Sequence, residues 1–446
     1  MSTKEKNAPD AVFDAKSLGT PKVIVLGLQH MFAMFGATVL VPVITGLDVS
    51  TTLLFAGLGT LLFHFLSKGK VPAFLGSSFA FLAGYAAIAP AGEADLLPYA
   101  CFGVACSALL YVILAGLFKA FGTSKVMKYF PPIVTGPIII AIGLNLSVSA
   151  ISNCASNWWI ALLAIVVIIV CNIWGKGMIK IIPIILGVIV SYAVAAIAGL
   201  VDFTPVKEAA WIGVPIQWNR TVFSLVGNAD TSLLITAAIT ITPIALATMV
   251  EHIGDISAIS STVGVNYIKD PGLHRTLLGD GLATMVASLF GAPANTTYGE
   301  NTGVLTLTRV FDPLVIRLAA IFAIAFSFCP KLSALISCMP AATMGGVSLV
   351  LYGMISAVGV RNVVENKVDF SKSRNTIIGA LILVLSIGIN YSEAGAIAFS
   401  VGEITISLSG LAIGSLVGIL LNAVLPGKDY DYQEDKAEPT GVNFEV

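Results

Sequence analysis

Runs of about 20 apolar residues recur along almost the whole chain, and that length is what a helix needs to cross the hydrocarbon of a bilayer. They begin near Val23, Thr51, Pro72, Tyr99, Pro131, Trp158 and Ile179. After a polar stretch from Asp202 to Asp230, a second set begins near Thr231, Leu273, Pro293, Pro313, Leu332, Asn375 and Ala394. Only 11% of the 446 residues are charged, against roughly a quarter in a soluble domain. In lipid every backbone N–H and C=O has to be satisfied within the protein, so each run reads as a helix. The expected fold class is an all-α polytopic membrane protein with 14 transmembrane segments.

Basic residues test that count independently. With both termini cytoplasmic and 14 spans, all but Lys207, Arg220 and Lys331 of the 24 Lys and Arg fall on the inner side. A missed span would flip every later loop and destroy this asymmetry. Seven spans per half is an odd number, so the halves insert with opposite orientation, as two inverted 7-span repeats. The expected division is a cytoplasmic tail at 1–22, a first repeat at 23–200, an extracytoplasmic connector at 201–230, a second repeat at 231–426 and a cytoplasmic tail at 427–446. The polar first residues lack the apolar core of a signal peptide, so insertion is expected to start at the first span.

Matching positions of the two halves carry similar signals. Pro132-Ile133-Val134-Thr135-Gly136 opens the fifth span, and Pro340-Ala341-Ala342-Thr343-Met344-Gly345 lies in its counterpart. The third span holds Pro72-Ala73-Phe74-Leu75-Gly76-Ser77-Ser78-Phe79, and the tenth holds Pro293-Ala294-Asn295-Thr296-Thr297-Tyr298-Gly299-Glu300. Proline-broken polar segments at corresponding positions point to a transporter's central site. Non-helical backbone at that depth is tolerated only where it faces protein or water.

Few ionisable groups lie within the spans, so each can be weighed. Glu300 sits in the tenth-span break, where an uncompensated carboxylate costs about 3 kcal/mol or more. Glu251 and Asp255 share a helix face, with His252 turned about 100° away at its flank. His30 follows Gln29 in the first span; Asp280 and His64 are further ionisable groups in the ninth and second. A lone histidine is more often a packing residue, yet its intrinsic pKa makes it a candidate proton group. Helix N-termini supply N–H donors and carboxylates accept them. A flat, neutral heterocycle with alternating C=O and N–H edges suits both, with Phe79 and Tyr298 covering its faces. The paired carboxylates disfavour an inorganic anion, and the aromatic residues leave a metal cation unexplained.

Other classes find little footing. A net charge of −1 gives no reason to expect nucleic acid. The cysteines Cys101, Cys106, Cys154, Cys171, Cys329 and Cys338 have no CxxC spacing, so no metal site or cofactor is expected. HEXXH and GXSXG are absent, and no enzyme is expected.

At these residues the chain resembles the nucleobase–ascorbate transporter family, and within it the uracil-transporting bacterial members. The resemblance runs from about Leu26 to Leu425. It is carried by Gln29-His30 and the following Phe35-Gly36-Ala37-Thr38-Val39-Leu40-Val41-Pro42, Gly76 to Phe81, Glu251-His252-Ile253-Gly254, and Asn295 to Gly303. It implies a core of spans 1–4 and 8–11, a gate of spans 5–7 and 12–14, and a homodimer in the cytoplasmic (inner) membrane. It also implies short antiparallel strands leading into half-helices in the third and tenth spans. Glu251 and Glu300 would hold the base's edge, and the backbone N–H groups of Phe79 and Gly299 its carbonyl oxygens. Tyr298, Tyr352, Ala37 and His30 would shape the pocket. Purine-transporting relatives usually have Gln-Asn-Asn-Gly where this chain has Glu300-Asn301-Thr302-Gly303, which ranks uracil above xanthine or another purine. Some uracil-type members place a His at Asp255, so proton coupling falls to Glu300, Asp255, His252 or His30 here, with H⁺ as the expected coupling ion and Na⁺ as the alternative.

Overall fold

The computed structural model describes residues 11–401 and 404–430. In chain order its principal elements are α1 Thr20–Thr45, α2 Val49–Leu66, β1 Leu75–Ser77, α3 Leu82–Ile88, α4 Leu97–Phe121, α5 Pro132–Ala155, α6 Trp158–Ile173 and α7 Pro183–Ile197. There follow α8 Thr231–Val263, interrupted by a 3-10 turn at Thr242–Ile244, then α9 Leu273–Leu289, β2 Asn295–Thr297, α10 Gly299–Thr308 and α11 Pro313–Ser327. The last are α12 Ala341–Glu365, α13 Ser373–Asn390, β3 Ile397–Val401, β4 Ile404–Leu408 and α14 Gly410–Val424. Seven described helices are long and apolar enough to cross a bilayer, or eight if α11 and Pro330–Ser337, bent by 88°, form one span. Segments Phe79–Ile88, Trp158–Trp174, Pro183–Ile197 and Gly410–Val424 are apolar but shorter. The chain is a multi-pass membrane protein.

Local chemistry sets the helix ends. Asp48 caps α2 by accepting the Thr51 N–H at 2.6 Å, and Asp230 caps α8 by accepting from Ser232 and Leu233. Asp312 accepts the Leu314 N–H at 2.9 Å at the start of α11. Gly46 and Gly264 end α1 and α8 in the left-handed conformation that suits a residue without Cβ. Pro131 and Pro340 stand in extended conformation as the N-caps of α5 and α12, so the residue just before the Pro132 motif and the first residue of the Pro340 motif do the same local job.

Close helix pairs rest on glycine, as expected where packing rather than water exclusion holds helices together. A Cβ at Gly143 of α5 would lie 2.2 Å from the Tyr352 carbonyl of α12, and one at Gly359 of α12 2.6 Å from the Ile140 nitrogen of α5. Between α9 and α4, a Cβ on Gly281 would lie 2.4 Å from the Tyr111 Cβ.

Two of the expected segment starts are displaced. The run beginning at Leu332 starts as the short helix Pro330–Ser337, and α12 begins only at Ala341, because Pro340 cannot continue a helix from Met339. The run expected from Ala394 opens instead with the hairpin β3–β4, registered Ile397↔Leu408 and Val401↔Ile404, before α14 begins at Gly410. Ile404-Thr405-Ile406-Ser407-Leu408 alternates apolar and polar residues with strand period, which a search for apolar runs overlooks. Glu403 between them lies outside the described residues, as do 1–10 and 431–446 of the tails.

Candidate functional site

The two proline-broken segments meet. β1 and β2 pair antiparallel with Leu75 opposite Thr297, Gly76 opposite Thr296 and Ser77 opposite Asn295. Two further bonds extend the pairing symmetrically: the Ser78 N–H donates to the Ala294 carbonyl at 2.8 Å and the Tyr298 N–H to the Phe74 carbonyl at 3.0 Å. The pairing relates Leu75 to Asn295 by an approximate two-fold, and each of these residues is held by a threonine from the preceding helix. The Leu75 N–H donates to Thr60 Oγ1 at 2.9 Å, and that hydroxyl lies 3.3 Å from the Leu75 carbonyl. The Asn295 N–H donates to Thr284 Oγ1 at 3.2 Å, and Thr284 returns a bond to the Asn295 carbonyl at 2.8 Å. Strands this short leave few backbone groups paired with each other, so the threonines close the account.

Each strand feeds a helix start. After β1 a 3-10 turn, Phe79–Phe81, leads into α3; after β2, Gly299 opens α10. The antiparallel crossing thus brings two helix N-termini, with their unpaired N–H groups and positive dipole ends, to opposite ends of one small sheet. Residues 291–298 are buried or nearly so, yet Gly299 and Gly303 on α10 are exposed, and a Cβ on either would meet nothing within 4 Å. The N-terminal turn of α10 therefore borders open space.

Aromatic residues gather at this crossing. Phe79 and Tyr352 meet edge to face with ring centroids 5.4 Å apart, and both belong to the same buried cluster as Ala37 and Tyr298. Tyr298 lies across Gly76, where an added Cβ would fall 2.5 Å from its ring, and its hydroxyl donates to the Ser77 carbonyl at 2.9 Å. Ser77 in turn donates to the Thr38 carbonyl of α1 at 2.8 Å. Glycine at 76 is thus a packing requirement of Tyr298.

The ionisable groups of α8 divide by partner. Asp255 accepts a hydrogen bond of 2.7 Å from Thr297 Oγ1, which ties it to β2, and Glu251 sits one turn earlier, half-buried like Asp255. Elements α10 and β2 both pack on α8. His252 points elsewhere: its Nδ1 is 3.2 Å from Asp280 Oδ2 of α9, both side chains wholly buried, with the Phe63 ring edge-on at 6.2 Å. Hence the structure brings Phe79, Tyr298, Tyr352, Ala37, Gly299 and Asp255 to one crossing, with Glu251 one turn from Asp255 on α8, and pairs His252 with Asp280 of α9. His30 is buried on α1 and contacts Asn301, the residue after Glu300. The backbone of Glu300 lies in the first turn of α10; its side chain is outside what the structure describes.

Sequence reasoning did not single out Thr60, Thr284, Thr38 or Asn301 as partners of the site. A hydroxyl residue 15 positions before β1 in one half and 11 before β2 in the other was the available signal, visible once the two breaks were paired.

Comparison with known proteins identifies the family. The sequence profile of the Permease family (Xan_ur_permease) matches residues 21–395. The chain is 42% identical over 416 residues to the uracil permease of Bacillus caldolyticus, covering 91% of this chain and 92% of the relative. It is 39% identical to that of Bacillus subtilis (strain 168), at 90% and 91% coverage, and 38% identical to that of Escherichia coli (strain K12), also at 90% and 91%. Among solved structures, SLC26A9 superposes with a TM-score of 0.64 at 13% identity, over 92% of this chain and 66% of that one. The transmembrane domain of the cyanobacterial bicarbonate transporter BicA gives 0.56 at 14% identity, over 93% and 99%. At that identity the likeness concerns the fold alone. Taken with the match along most of its length, the chain belongs to the nucleobase–ascorbate transporter family of permeases.

Proposed function

We propose that this permease carries a nucleobase, uracil first, into the cell together with protons by alternating access across the cytoplasmic membrane. The observation that carries the reading is the β1–β2 crossing. It presents a helix N-terminus at each end of the small sheet, leaves Gly299 beside open space, and holds Asp255 through Thr297, with Glu251 one helical turn away. N–H donors from Phe79 and Gly299 suit the carbonyl oxygens of a pyrimidine base, and carboxylates on Glu251 and Glu300 suit its N–H edge. Phe79 and Tyr352 form an apolar wall for its face. The names of the relatives, uracil permeases, favour the same substrate.

In this reading the protein has 14 spans in two inverted repeats, both termini cytoplasmic, and assembles as a homodimer. The threonine brackets on equivalent strand positions support the inverted repeat, because a common ancestor of the halves accounts for the same device twice. The core of spans 1–4 and 8–11 moves against the gate of spans 5–7 and 12–14. Loading begins when a proton neutralises Glu300 or the network containing Asp255, since a neutral carboxyl avoids most of the cost of a buried charge.

The test is uptake of radiolabelled uracil into proteoliposomes with an inward proton gradient. Accumulation that collapses on adding a protonophore supports the reading. Vesicles that concentrate xanthine instead would move the chain to purine transport, and uracil accumulation indifferent to the proton gradient would remove the coupling.

A further inference from the structure

His30 and Asn301 form a contact whose hydrogen count can be worked out. The Asn301 Nδ2 atom lies 3.1 Å from the His30 main-chain carbonyl and 3.2 Å from His30 Nδ1. A carbonyl oxygen can only accept, so the Asn301 atom facing it is the NH₂ group and the amide orientation follows from the bond itself. An amide NH₂ cannot accept. The imidazole nitrogen beside it therefore presents its lone pair, and the ring's proton sits on Nε2. Both side chains are buried, His30 at 0% and Asn301 at 1% exposure. His30 Nε2 and Asn301 Oδ1 have no hydrogen-bond partner among the described residues.

We infer that Asn301 is a positioning residue that fixes His30 in the neutral Nε2–H tautomer, which makes His30 a hydrogen-bond donor and takes it out of the proton relay. A proton arriving at Nδ1 would set a ring N–H against the amide NH₂ and break the contact. The charged or imidazole-bearing side chains on elements packed against α1 are Lys16, His64, Lys180, Glu300, Arg317 and Lys331. Among the described side chains none of these is bonded to His30. The contact also ties α1 to the residue that follows Glu300, so the first turn of α10 is held from the N-terminal side of Ala37. Only the statement about the relay rests on the proposed symport; the tautomer is read without substrate.

The experiment uses the full chain, labelled with ¹⁵N-histidine, in lipid nanodiscs at neutral pH. There are four histidines, and the signal missing from the His30→Gln variant identifies His30. The expected spectrum shows a one-bond proton coupling at Nε2 and none at Nδ1. In Asn301→Asp, whose carboxylate accepts, the proton is expected at Nδ1. Coupling at Nδ1 in the unaltered protein, or a doubly protonated ring, would overturn the inference. A second arm follows uptake: His30→Gln places an amide NH₂ at the Nε2 position and has no titratable ring. Its uracil accumulation is expected to stay protonophore-sensitive; retained uptake that no longer responds to protonophore would return His30 to the relay. Should that variant fail to transport, the spectrum of the unaltered protein decides alone.

Discussion

At the scale of single residues, the proposed function separates groups that bind from a group that exchanges protons. Asp255 is held by Thr297, so Asp255→Asn keeps a polar partner for that hydroxyl while removing the titratable group. Uracil exchange between equal concentrations is expected to persist, and proton-driven accumulation to fall tenfold or more, a loss of at least about 1.4 kcal/mol of drive. Comparing counterflow with gradient-driven uptake checks it; undiminished accumulation would place coupling elsewhere. Gly299→Ala probes the open space at α10. An added methyl meets nothing within 4 Å, so the melting temperature should not move. Uracil affinity should still drop, because the methyl occupies the space a base needs to reach the N–H groups. An unchanged binding isotherm would mean the ligand lies on another face. Loss of the ring in Phe79→Ala is expected to weaken uracil binding about three- to tenfold, the worth of one aromatic contact.

Elements matter here because strands of three residues cannot hold themselves. Thr284→Val is close to isosteric yet removes both bonds to Asn295, leaving a buried N–H and C=O unpaired. The expected cost is about 1–3 kcal/mol per unsatisfied group, read as a lower thermal midpoint in detergent, with uptake reduced in step. Thr60→Val should lower the midpoint too, but by less, because the Thr60 hydroxyl gives its proton chiefly to the Ala56 carbonyl at 2.8 Å and the substitution mainly unpairs the Leu75 N–H. A midpoint lowered by only one of the two would argue against equivalent roles. The α5–α12 pair sets a second test. Gly143→Val puts a branched side chain 2.2 Å from the Tyr352 carbonyl, and overpacking of that kind costs about 1–3 kcal/mol. Because Tyr352 also meets Phe79, uracil affinity should suffer along with stability. The repeated breaks, their hydroxyl residues and the two proline N-caps were legible in the sequence. The threonine brackets were not, since no local pattern distinguishes a threonine bonding its own helix from one bonding a strand.

For the whole molecule, the question is whether transport requires relative movement of the parts proposed as core and gate. Ala83, beyond β1, and Asn145 of α5 line one cavity with Asn390 and Ser409. A short thiol-reactive cross-linker between Ala83→Cys and Asn145→Cys, in a background freed of other cysteines, is expected to stop uracil uptake, and cleavage of the linker to restore it. Uptake that continues with the linker intact would show that this contact does not open during the cycle.

Composition and the spacing of apolar runs determined by themselves that the chain lives in a bilayer. A helix is the one short-range way to satisfy a backbone in hydrocarbon, so span length and sequence pattern suffice. They also marked where the helix rule fails, because proline and small polar residues cluster in the third and tenth spans, and non-helical backbone at that depth has to face protein or water. Tertiary structure alone decided what those failures are for. Strand pairing between Leu75–Ser77 and Asn295–Thr297 joins positions far apart in the chain, and no periodicity encodes its register. The same holds for the faces of α8. Sequence spacing put Glu251 and Asp255 together and left His252 at their flank, but only the packing of α9 gave His252 its partner Asp280. Local rules describe what a segment satisfies within itself, and a site made from two broken segments is by construction what they leave unsatisfied.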